Sequence, residues 1–359
     1  MKRILMATAA SFAVFATGAM AGGIERSTQS VGLMFETGDY AEFTLGSISP
    51  SVSGSFVGNS SGNMAESYIS ASFGYKKDFG NGLHFGVIID QPVGANVAYP
   101  TGTGYAAAGS TAKISSTAIT GVLRYKFQNN FSVLAGLRAI KTSGQVELQP
   151  SGYTMSTSTE TDMGYLVGVA YEKPEIALRV ALTYNSAVDH DFAVTENGGA
   201  SLPFRTTIPS SLNLEFQSGI AKNTLVFGSI RKVDWTSFSI RPAGYAAANA
   251  GQALVSYRDD TTTYNLGVGR KFNDNWSGAV TLGYEGSNPG TSGNLGPTNG
   301  NKSIGLGVSY TKGKMKITGG IRYIDIGDAQ TVLAAPPVPQ SSFTNNHAIA
   351  VGFKVGYSF

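Results

Sequence analysis

Cysteine is missing from this sequence of 359 residues, and histidine occurs only three times. Without thiols the chain forms neither disulfides nor thiolate zinc sites, and it has no cysteine nucleophile. His84, His190 and His347 are widely separated in sequence, and spacing alone assigns no Ser/His/Asp arrangement. The sequence therefore predicts no catalytic residues, no metal site and no cofactor.

Charged residues are also scarce. They make up 14% of the chain, against about 25% in a typical soluble domain, whereas apolar residues make up 42%. The net charge of +3 is too small to indicate nucleic acid as a partner. Beyond the N-terminal region, no window supplies the run of about 18 apolar residues that a membrane-spanning helix needs. The apolar surface is therefore expected in a soluble core or on the outside of a β-barrel.

The N-terminus has the three parts of a secretory signal peptide. Lys2 and Arg3 form a basic start, an apolar stretch follows over residues 4–20, and Ala19-Met20-Ala21 forms an A-x-A cleavage site. We expect residues 1–21 to be removed, so that the mature chain begins at Gly22. The alternative, an uncleaved anchor, fits less well because the stretch is short and ends in small residues.

The dominant hydrophobic period along the chain is two, which indicates β-strands. The last thirteen positions show it best, because apolar and aromatic residues alternate there with small and polar ones as far as the terminal Phe359. A strand of this kind suits a wall with lipid on one side and a polar lumen on the other. A C-terminal strand of alternating aromatics that ends in Phe359 also resembles the signal recognised by the barrel-assembly machinery.

Fourteen runs of this kind can be counted. They cover residues 41–53, 66–79, 83–93, 115–128, 131–148, 160–172, 175–189, 207–219, 223–236, 257–272, 276–286, 302–312, 315–325 and 347–359. The connections between them alternate strictly between short and long. The long ones lie near residues 54–65, 94–114, 149–159, 190–206, 237–256, 287–301 and 326–346.

This sorting is typical of periplasmic turns and extracellular loops. We therefore predict an all-β fold, a transmembrane antiparallel β-barrel of about 14 strands over residues 42–359, with a short N-terminal segment over residues 22–41. The location implied is the bacterial outer membrane. The long loops carry little charge, which suits either mobile solvated loops or contact with apolar solutes and lipopolysaccharide.

Charged residues within the predicted strands should point into the lumen, because charge on the lipid face costs about 2–4 kcal/mol at the membrane midplane. Strand parity places these residues inside: Arg124, Lys126, Arg138, Arg179, Arg322, Lys354, Asp90, Glu215 and Glu285. One interpretation is an ion-pair network that holds the wall together. The other is that cations such as Arg138, Arg124 or Arg179 meet a ligand carboxylate. Leu134, Ile140 and Leu166 share the inward face and would then line an apolar pocket near Arg138.

Two local patterns resemble functional motifs, but neither predicts a functional site. Gly102-Thr103-Gly104 resembles a phosphate-binding loop only faintly, because it opens no predicted helix and lacks the spacing. His190 stands between Asp189 and Asp191, which suggests metal binding or acid–base work. Because the pattern places these residues where a strand enters a loop, we expect a solvated charge cluster instead.

Several segments together resemble the long-chain fatty-acid transporter (FadL/OMPP1/TodX) family of outer-membrane proteins. They follow in the family's order and strand register over most of the mature chain. The segments are 43–54 (FTLGSISPSVSG), 123–136 (LRYKFQNNFSVLAG), 164–184 around AYEKPEIALRVALTY, 202–209, 233–238 (VDWTSF) and 271–276 (KFNDNW). The resemblance implies a monomeric barrel of fourteen strands that takes up hydrophobic compounds by diffusion. It also implies an N-terminal hatch in the lumen and a lateral opening in the wall.

The N-terminal segment departs from the family pattern. Only residues 22–41 precede the first predicted strand, and the Asn-Pro-Ala hatch signature is absent, so a reduced hatch is expected. Pro92 and Gly94 lie where the family has its wall kink, and they mark either a lateral opening or simply the end of a strand.

Passive transport of hydrophobic compounds such as long-chain fatty acids is therefore the first functional hypothesis. A general or ion-selective porin is the alternative. A barrel enzyme fits least well, because histidine is scarce and no Ser/His/acid set clusters in the sequence. A structural or adhesive surface protein, which would show neither conductance nor uptake, is a further alternative. The expected partners are hydrophobic small molecules, outer-membrane lipid and lipopolysaccharide, and the barrel-assembly machinery.

Overall fold

Fourteen antiparallel strands close into a barrel in the computed structural model, which describes residues 23–332 and 340–359. The predicted signal peptide and part of the last long loop lie outside the described residues. The strands are β1 (Tyr40–Ser51), β2 (Tyr68–Asp78), β3 (Leu83–Asp90 and Gly94–Ala98), β4 (Thr111–Lys126), β5 (Phe131–Leu148), β6 (Glu160–Lys173), β7 (Leu178–Asn185 and Val188–Glu196), β8 (Gly199–Ile208 and Ser211–Ala221), β9 (Thr224–Val233), β10 (Thr261–Lys271), β11 (Trp276–Glu285), β12 (Asn301–Lys312), β13 (Met315–Ile326) and β14 (Asn346–Ser358).

Pairing of the first and last strands closes the sheet. β1 pairs with β14 from Tyr40 opposite Ser358 to Ser51 opposite His347, and it pairs with β2 on its other side. Closure removes the exposed edges of the sheet, so the backbone groups along the wall find partners without water. The prediction of a fourteen-stranded antiparallel barrel is confirmed.

Alternation along each strand sorts the side chains between the two faces of the wall. On β12, Ile304, Leu306 and Val308 are exposed on the outside, whereas Gly305 is buried on the inside. Aromatic rings pair across neighbouring strands near the periplasmic turns, as Trp276 does with Tyr310 at 4.8 Å between ring centroids. An apolar outer band bordered by aromatic residues is what a lipid bilayer requires.

The extracellular ends differ most from the sequence prediction at residues 190–206, and the predicted loop over residues 94–114 is also shorter, because Gly94–Ala98 is a strand and β4 begins at Thr111. Residues 190–206 were expected to form a loop, but β7 continues to Glu196 and β8 begins at Gly199. The hairpin turns at Asn197 and Gly198, which have φ angles of 51° and 78°. The loop prediction was wrong because the alternation simply continues there, with buried and exposed residues in strict sequence from Val188. This hairpin projects the wall beyond its predicted height.

Short elements in the other long loops cover the extracellular mouth. Tyr105 connects three of these loops, since its hydroxyl donates to Ser341 Oγ at 2.9 Å and lies 3.2 Å from Asn294 Oδ1. Burial raises the pKa of the Tyr105 hydroxyl, which keeps it protonated as a donor. The short elements of these loops are the strands Gly54–Phe56, Asn59–Ser60, Tyr153–Thr157, Ser239–Ile240, Val255–Ser256, Thr291–Ser292, Ala329–Val332 and Gln340–Phe343, the α-helix Ala243–Ala248 and the 3-10 helix Trp235–Ser237. Two further 3-10 helices lie elsewhere, Gly32–Phe35 before β1 and Pro174–Ile176 in the short turn between β6 and β7. Within residues 23–332 and 340–359, no helix has the length and apolar character to cross a membrane.

Candidate functional site

Residues 23–39 precede β1 and run inside the barrel, where they contact inward-facing side chains from several strands. Glu25 accepts a hydrogen bond from Arg231 Nε on β9 at 2.9 Å. Gln29 Oε1 accepts one from Arg138 Nη1 on β5 at 2.7 Å. Ser30 donates to Glu215 on β8 at 2.5 Å. We call residues 23–39 the luminal segment.

The three arginines predicted to meet a ligand all contact the luminal segment. Arg138 bonds to Gln29 as described, and Arg124 Nη1 donates to the backbone carbonyl of Met34 at 2.9 Å. Arg124 and Arg179 both lie over the ring of Phe35, at 4.2 Å and 4.8 Å from its centroid. Cation–π contacts of this kind hold a ring more strongly where water is excluded. Sequence parity correctly places these arginines in the lumen, but it gives no sign of their shared partner.

The three predicted apolar residues separate into two groups. Leu134 and Leu166 pack with Val31 and Met34 of the luminal segment in a small buried cluster. Ile140 belongs instead to a larger cluster toward the extracellular side. The expected pocket near Arg138 is therefore filled, at its lower end, by the segment itself.

An apolar pocket lies above the luminal segment, inside the extracellular half of the barrel. It encloses about 660 Å³ of free space, part of it open to solvent, and the surface that it presents is apolar. Side chains that line it include Ile24, Val146, Met155, Phe192, Phe204 and Phe238. Ile24 is the contribution of the luminal segment, so the segment forms part of the boundary of this pocket.

His190 lies beside this pocket rather than in a solvated cluster. Its side chain is 0% exposed, with Nδ1 at 2.7 Å from Asp162 Oδ2 and Nε2 at 3.1 Å from Thr142 Oγ1. A carboxylate only accepts, so Nδ1 donates to Asp162, and with the second contact to Thr142 the ring of His190 joins β5, β6 and β7. The sequence prediction was wrong because β7 continues through this position, which turns His190 inward while Asp189 and Asp191 face outward. The inward run of His190, Phe192 and Val194 was the available signal.

No group of three or more metal-ligating side chains occurs among residues 23–332 and 340–359. Asp189 and Asp191 instead face Arg205 on the neighbouring strand, with Arg205 Nη2 at 2.8 Å from Asp191 Oδ2. This exposed pair is a surface contact of the hairpin and has no access to the lumen.

The wall is interrupted at the position of Pro92 and Gly94. There the chain turns inward and pairs with the luminal segment: Arg26 N–H donates to the Pro92 carbonyl at 2.9 Å, and Gly94 N–H donates to the Ile24 carbonyl at 2.8 Å. The Val93 backbone is satisfied by a side chain of β4, because Val93 N–H donates to Ser116 Oγ at 3.0 Å and that hydroxyl donates to the Val93 carbonyl at 2.6 Å.

Pairing between β2 and β3 ends at this interruption. Its last register position is Phe73 opposite Ile89, although β2 continues to Tyr68. A second pocket of about 860 Å³, part of it open to solvent, lies behind the gap and is lined by Ser70, Ser72 and Asp90 among other residues. This pocket is polar, and Asp90 Oδ1 in it has no hydrogen-bond partner. A gap in the ladder and a pocket therefore coincide at Pro92 and Gly94, for which the sequence left a lateral opening and a strand end as alternatives.

A family model of outer-membrane transport proteins (OMPP1/FadL/TodX) matches residues 10–288, which is more than half of the chain. The chain belongs to this family. The resemblance found in the sequence is therefore confirmed. The family consists of transport channels for hydrophobic compounds in the outer membrane rather than enzymes.

Solved structures show the same fold at low sequence identity. A FadL homologue from Pseudomonas aeruginosa aligns over 96% of both chains with a TM-score of 0.76 and 14% identity. The toluene transporter TodX of Pseudomonas putida aligns over 98% of both chains with a TM-score of 0.67 and 13% identity. CymD, a monoaromatic hydrocarbon channel, covers 92% of this chain and 90% of its own, with a TM-score of 0.61 and 16% identity. A search of curated protein sequences found no significant match.

Proposed function

We propose that this FadL-family barrel admits hydrophobic molecules, long-chain fatty acids among them, by passive diffusion from the cell exterior into its apolar pocket. The observation that carries this proposal is the pocket itself, an apolar space of about 660 Å³, part of it open to solvent, in the extracellular half of the lumen. Transfer of an apolar ligand from water to such a surface is favourable by roughly 25 cal/mol per Å² of apolar area buried. The relatives of known structure include a toluene transporter and a monoaromatic hydrocarbon channel, which supports neutral aromatic molecules as further candidates.

The luminal segment acts in this proposal as a short hatch. Its bonds to Arg231, Arg138 and Arg124 fix it across the lumen below the pocket. A molecule in the pocket then reaches the periplasm only if the segment moves, or leaves sideways through the wall. The predicted roles of Arg138, Arg124, Arg179, Leu134, Ile140 and Leu166 in ligand binding stay a prediction. In the arrangement described here, such binding requires the segment to shift first.

The lateral route uses the interruption at Pro92 and Gly94. Support for it comes from the unpaired stretch of β2 and from the polar pocket behind it. A cross-link that ties Ala71→Cys on β2 to Gln91→Cys across the gap tests this route, in a chain that has no other cysteine. Uptake should fall after cross-linking. A matched pair at Phe73 and Ile89, which are already opposite one another in the ladder, should leave uptake unchanged.

Uptake into liposomes provides the main test. Proteoliposomes should take up a labelled long-chain fatty acid and a labelled monoaromatic hydrocarbon faster than liposomes without protein. Equal rates with and without protein for both probes would overturn the proposal.

A porin is the second candidate function, favoured by the polar pocket alongside the luminal segment. In planar bilayers a porin gives high and steady single-channel conductance, whereas a barrel filled by its own segment gives little. A large, steady conductance of the full-length mature protein would favour the porin.

Cleavage of residues 1–21, recognition of the strand that ends in Phe359 by the barrel-assembly machinery, contact with lipopolysaccharide and a monomeric state complete the proposal. Mass spectrometry of the mature protein tests the first of these directly, since the expected N-terminal residue is Gly22.

A further inference from the structure

The tip of the β7–β8 hairpin carries a carboxylate that binds four donors. Glu196 is only 8% exposed. Its Oε1 accepts hydrogen bonds from the Tyr153 hydroxyl at 2.6 Å and from the Tyr245 N–H at 2.8 Å. Its Oε2 accepts from the Gly244 N–H at 2.8 Å and from the Ser201 hydroxyl. The donors come from three places: the loop between β5 and β6, strand β8 and the loop between β9 and β10. Hydrogen bonds to a charged acceptor are about twice as strong as neutral ones, so this carboxylate joins the three places firmly.

The side of this contact that belongs to the wall is held by main-chain bonds. The last three residues of β7, which end at Glu196, pair with the strand Tyr153–Thr157. Just beyond them, Asn197 N–H donates to the Thr154 carbonyl at 2.9 Å. The carboxylate therefore projects from a paired and well-supported edge of the barrel.

The other side of the contact is a loop that folds over the apolar pocket. Residues 239–256, which we call the lid loop, contain the helix Ala243–Ala248 between two short paired strands. Ile240 and Val255 from these strands line the pocket. The helix lies farther out, since its last two residues are exposed. The lid loop thus separates part of the apolar pocket from the exterior.

Few polar contacts attach the lid loop to the rest of the barrel. In the part of the chain that the structure describes, its hydrogen bonds to other segments go only to Glu196 and Thr206. Thr206 Oγ1 donates to the Ser239 carbonyl at 3.0 Å, which is at the base of the loop. Bonds within the loop, such as that from Leu254 N–H to the Ile240 carbonyl at 2.9 Å, give it a shape of its own. Its tip is therefore held by Glu196.

The tip of the lid loop fits this contact closely. Gly244 lets the backbone approach, since a Cβ built there would lie 3.0 Å from both oxygens of the Glu196 carboxylate. Beside it, the ring of Tyr245 packs edge-on against that of Tyr153, with the centroids 5.3 Å apart. The contact therefore combines charge-assisted hydrogen bonds with a small apolar interface.

We propose that Glu196 is the latch of a lid: its carboxylate holds the lid loop against the wall, and breakage of this contact opens the apolar pocket to hydrophobic molecules from the exterior. This inference rests on the proposed function, for which it supplies a point of control at entry. Opening at the tip costs little because the N–H groups of Gly244 and Tyr245 bond to water once they leave the carboxylate. Closure is favoured by the burial of Ile240 and Val255.

A chain without cysteine allows the opening to be measured by chemical labelling. Val146→Cys places one thiol on the wall of the apolar pocket, where Val146 is buried. The uncharged reagent N-ethylmaleimide should modify this thiol slowly in the purified folded barrel, and mass spectrometry measures the rate. Glu196→Gln should raise the rate by roughly tenfold, the factor expected for loss of a hydrogen bond to a charged group. Glutamine keeps the size of the side chain but presents N–H groups where one oxygen accepts.

Tyr153→Phe is a milder variant of the same contact. It removes one of the four bonds to Glu196 and keeps the ring that packs on Tyr245, so the labelling rate should rise by a smaller factor. The gel shift between unheated and heated samples confirms that each variant is a folded barrel.

Two matched controls separate the latch from a general effect. Asp191→Asn removes a carboxylate of the same hairpin that faces outward and pairs with Arg205, and it should leave the labelling rate of Val146→Cys unchanged. Val122→Cys places the thiol in the small buried cluster beside the luminal segment, below the pocket. Its slow labelling should be the same with and without Glu196→Gln.

The possible results distinguish the latch from the proposed function. Equal labelling of Val146→Cys with and without Glu196→Gln would overturn the latch and leave the transport function standing. A similar increase with Asp191→Asn, or a parallel increase at Val122→Cys, would also overturn it, because the change would then be a general loosening of the barrel. Faster labelling with Glu196→Gln, together with no uptake of either probe by wild-type proteoliposomes, would support the latch and overturn the proposed function.

Discussion

The inward-facing arginines show how far neighbouring positions in one barrel wall differ in their environment. Arg231 and Arg138 hold the luminal segment by direct hydrogen bonds, Arg124 and Arg179 enclose the ring of Phe35, and Arg322 has no comparable partner. The same residue type on the same face therefore anchors the luminal segment at some positions and does not contact it at another. The difference arises from which part of the chain reaches each guanidinium.

Substitution of Arg231 should release the beginning of the luminal segment. Arg231→Met leaves the Glu25 carboxylate in the lumen without its partner, and loss of one member of a buried pair typically destabilises by about 3–5 kcal/mol. A spin label at Ser27 should become more mobile in the variant. The same label in Lys126→Met, which removes a lumen cation that pairs with the wall, should report no change. Unchanged mobility in Arg231→Met would show that Glu25 does not anchor the segment.

Replacement of His190 should weaken the upper wall. His190→Phe removes the partner of the buried Thr142 hydroxyl, and a polar group left unsatisfied in a buried position costs about 1–3 kcal/mol. The midpoint of urea unfolding should fall accordingly. In the double variant with Thr142→Val, part of this loss should be recovered, because the hydroxyl that lacks a partner is no longer present. A double variant less stable than both single variants would contradict this account.

At the scale of single elements, β3 is the strand that departs most from regular structure. Its interruption between Asp90 and Gly94 is stabilised from both sides, by the luminal segment and by the side chain of Ser116. An interruption supported in this way is a defined feature of the wall rather than a frayed end.

Loss of the Ser116 hydroxyl should loosen this feature. Ser116→Ala leaves the Val93 N–H and carbonyl without their partner on β4, so hydrogen exchange of residues 91–94 should become faster. Ser115→Ala changes the adjacent outward-facing position and serves as the control. If exchange is equally slow in both variants, the luminal segment alone determines the bend.

For the whole molecule, the luminal segment and the extracellular loops together decide what passes through the barrel. The wall has fourteen strands, enough to leave a wide lumen, and its interior would be wet if nothing filled it. Residues 23–39 occupy the centre, and the loops joined through Tyr105 cover the mouth. The apolar pocket lies between these two closures.

Deletion of residues 24–30 should therefore convert the barrel into an open pore. The deletion removes Glu25 and Arg26 together, so the net charge is unchanged, while the space that residues 24–30 fill becomes open. Planar-bilayer recordings should show a larger conductance than the full mature protein. A deletion variant that conducts no better than the wild type would show that another part of the protein closes the lumen.

Much of this architecture could be predicted from the sequence because barrel closure obeys local rules. Alternation with a period of two fixes which side chains face lipid, and the lengths of the connections sort the two ends of the barrel. Residue parity placed Arg124, Arg138, Arg179 and Arg322 in the lumen, where the structure has them. The hairpin through His190 differs from the prediction because the alternation of buried and exposed residues continues beyond the predicted strand end.

The sequence by itself determined the faces of the strands, since that information is carried by neighbouring residues. Only the tertiary structure decided which side chain each inward-facing residue contacts in the lumen. Arg138 meets Gln29 and Arg231 meets Glu25 across 109 and 206 positions of the chain. Such contacts depend on closure of the sheet and on the path of the luminal segment, and no local pattern encodes either. For the same reason, only the folded barrel shows that Arg322, unlike Arg231, forms no ion pair among residues 23–332 and 340–359.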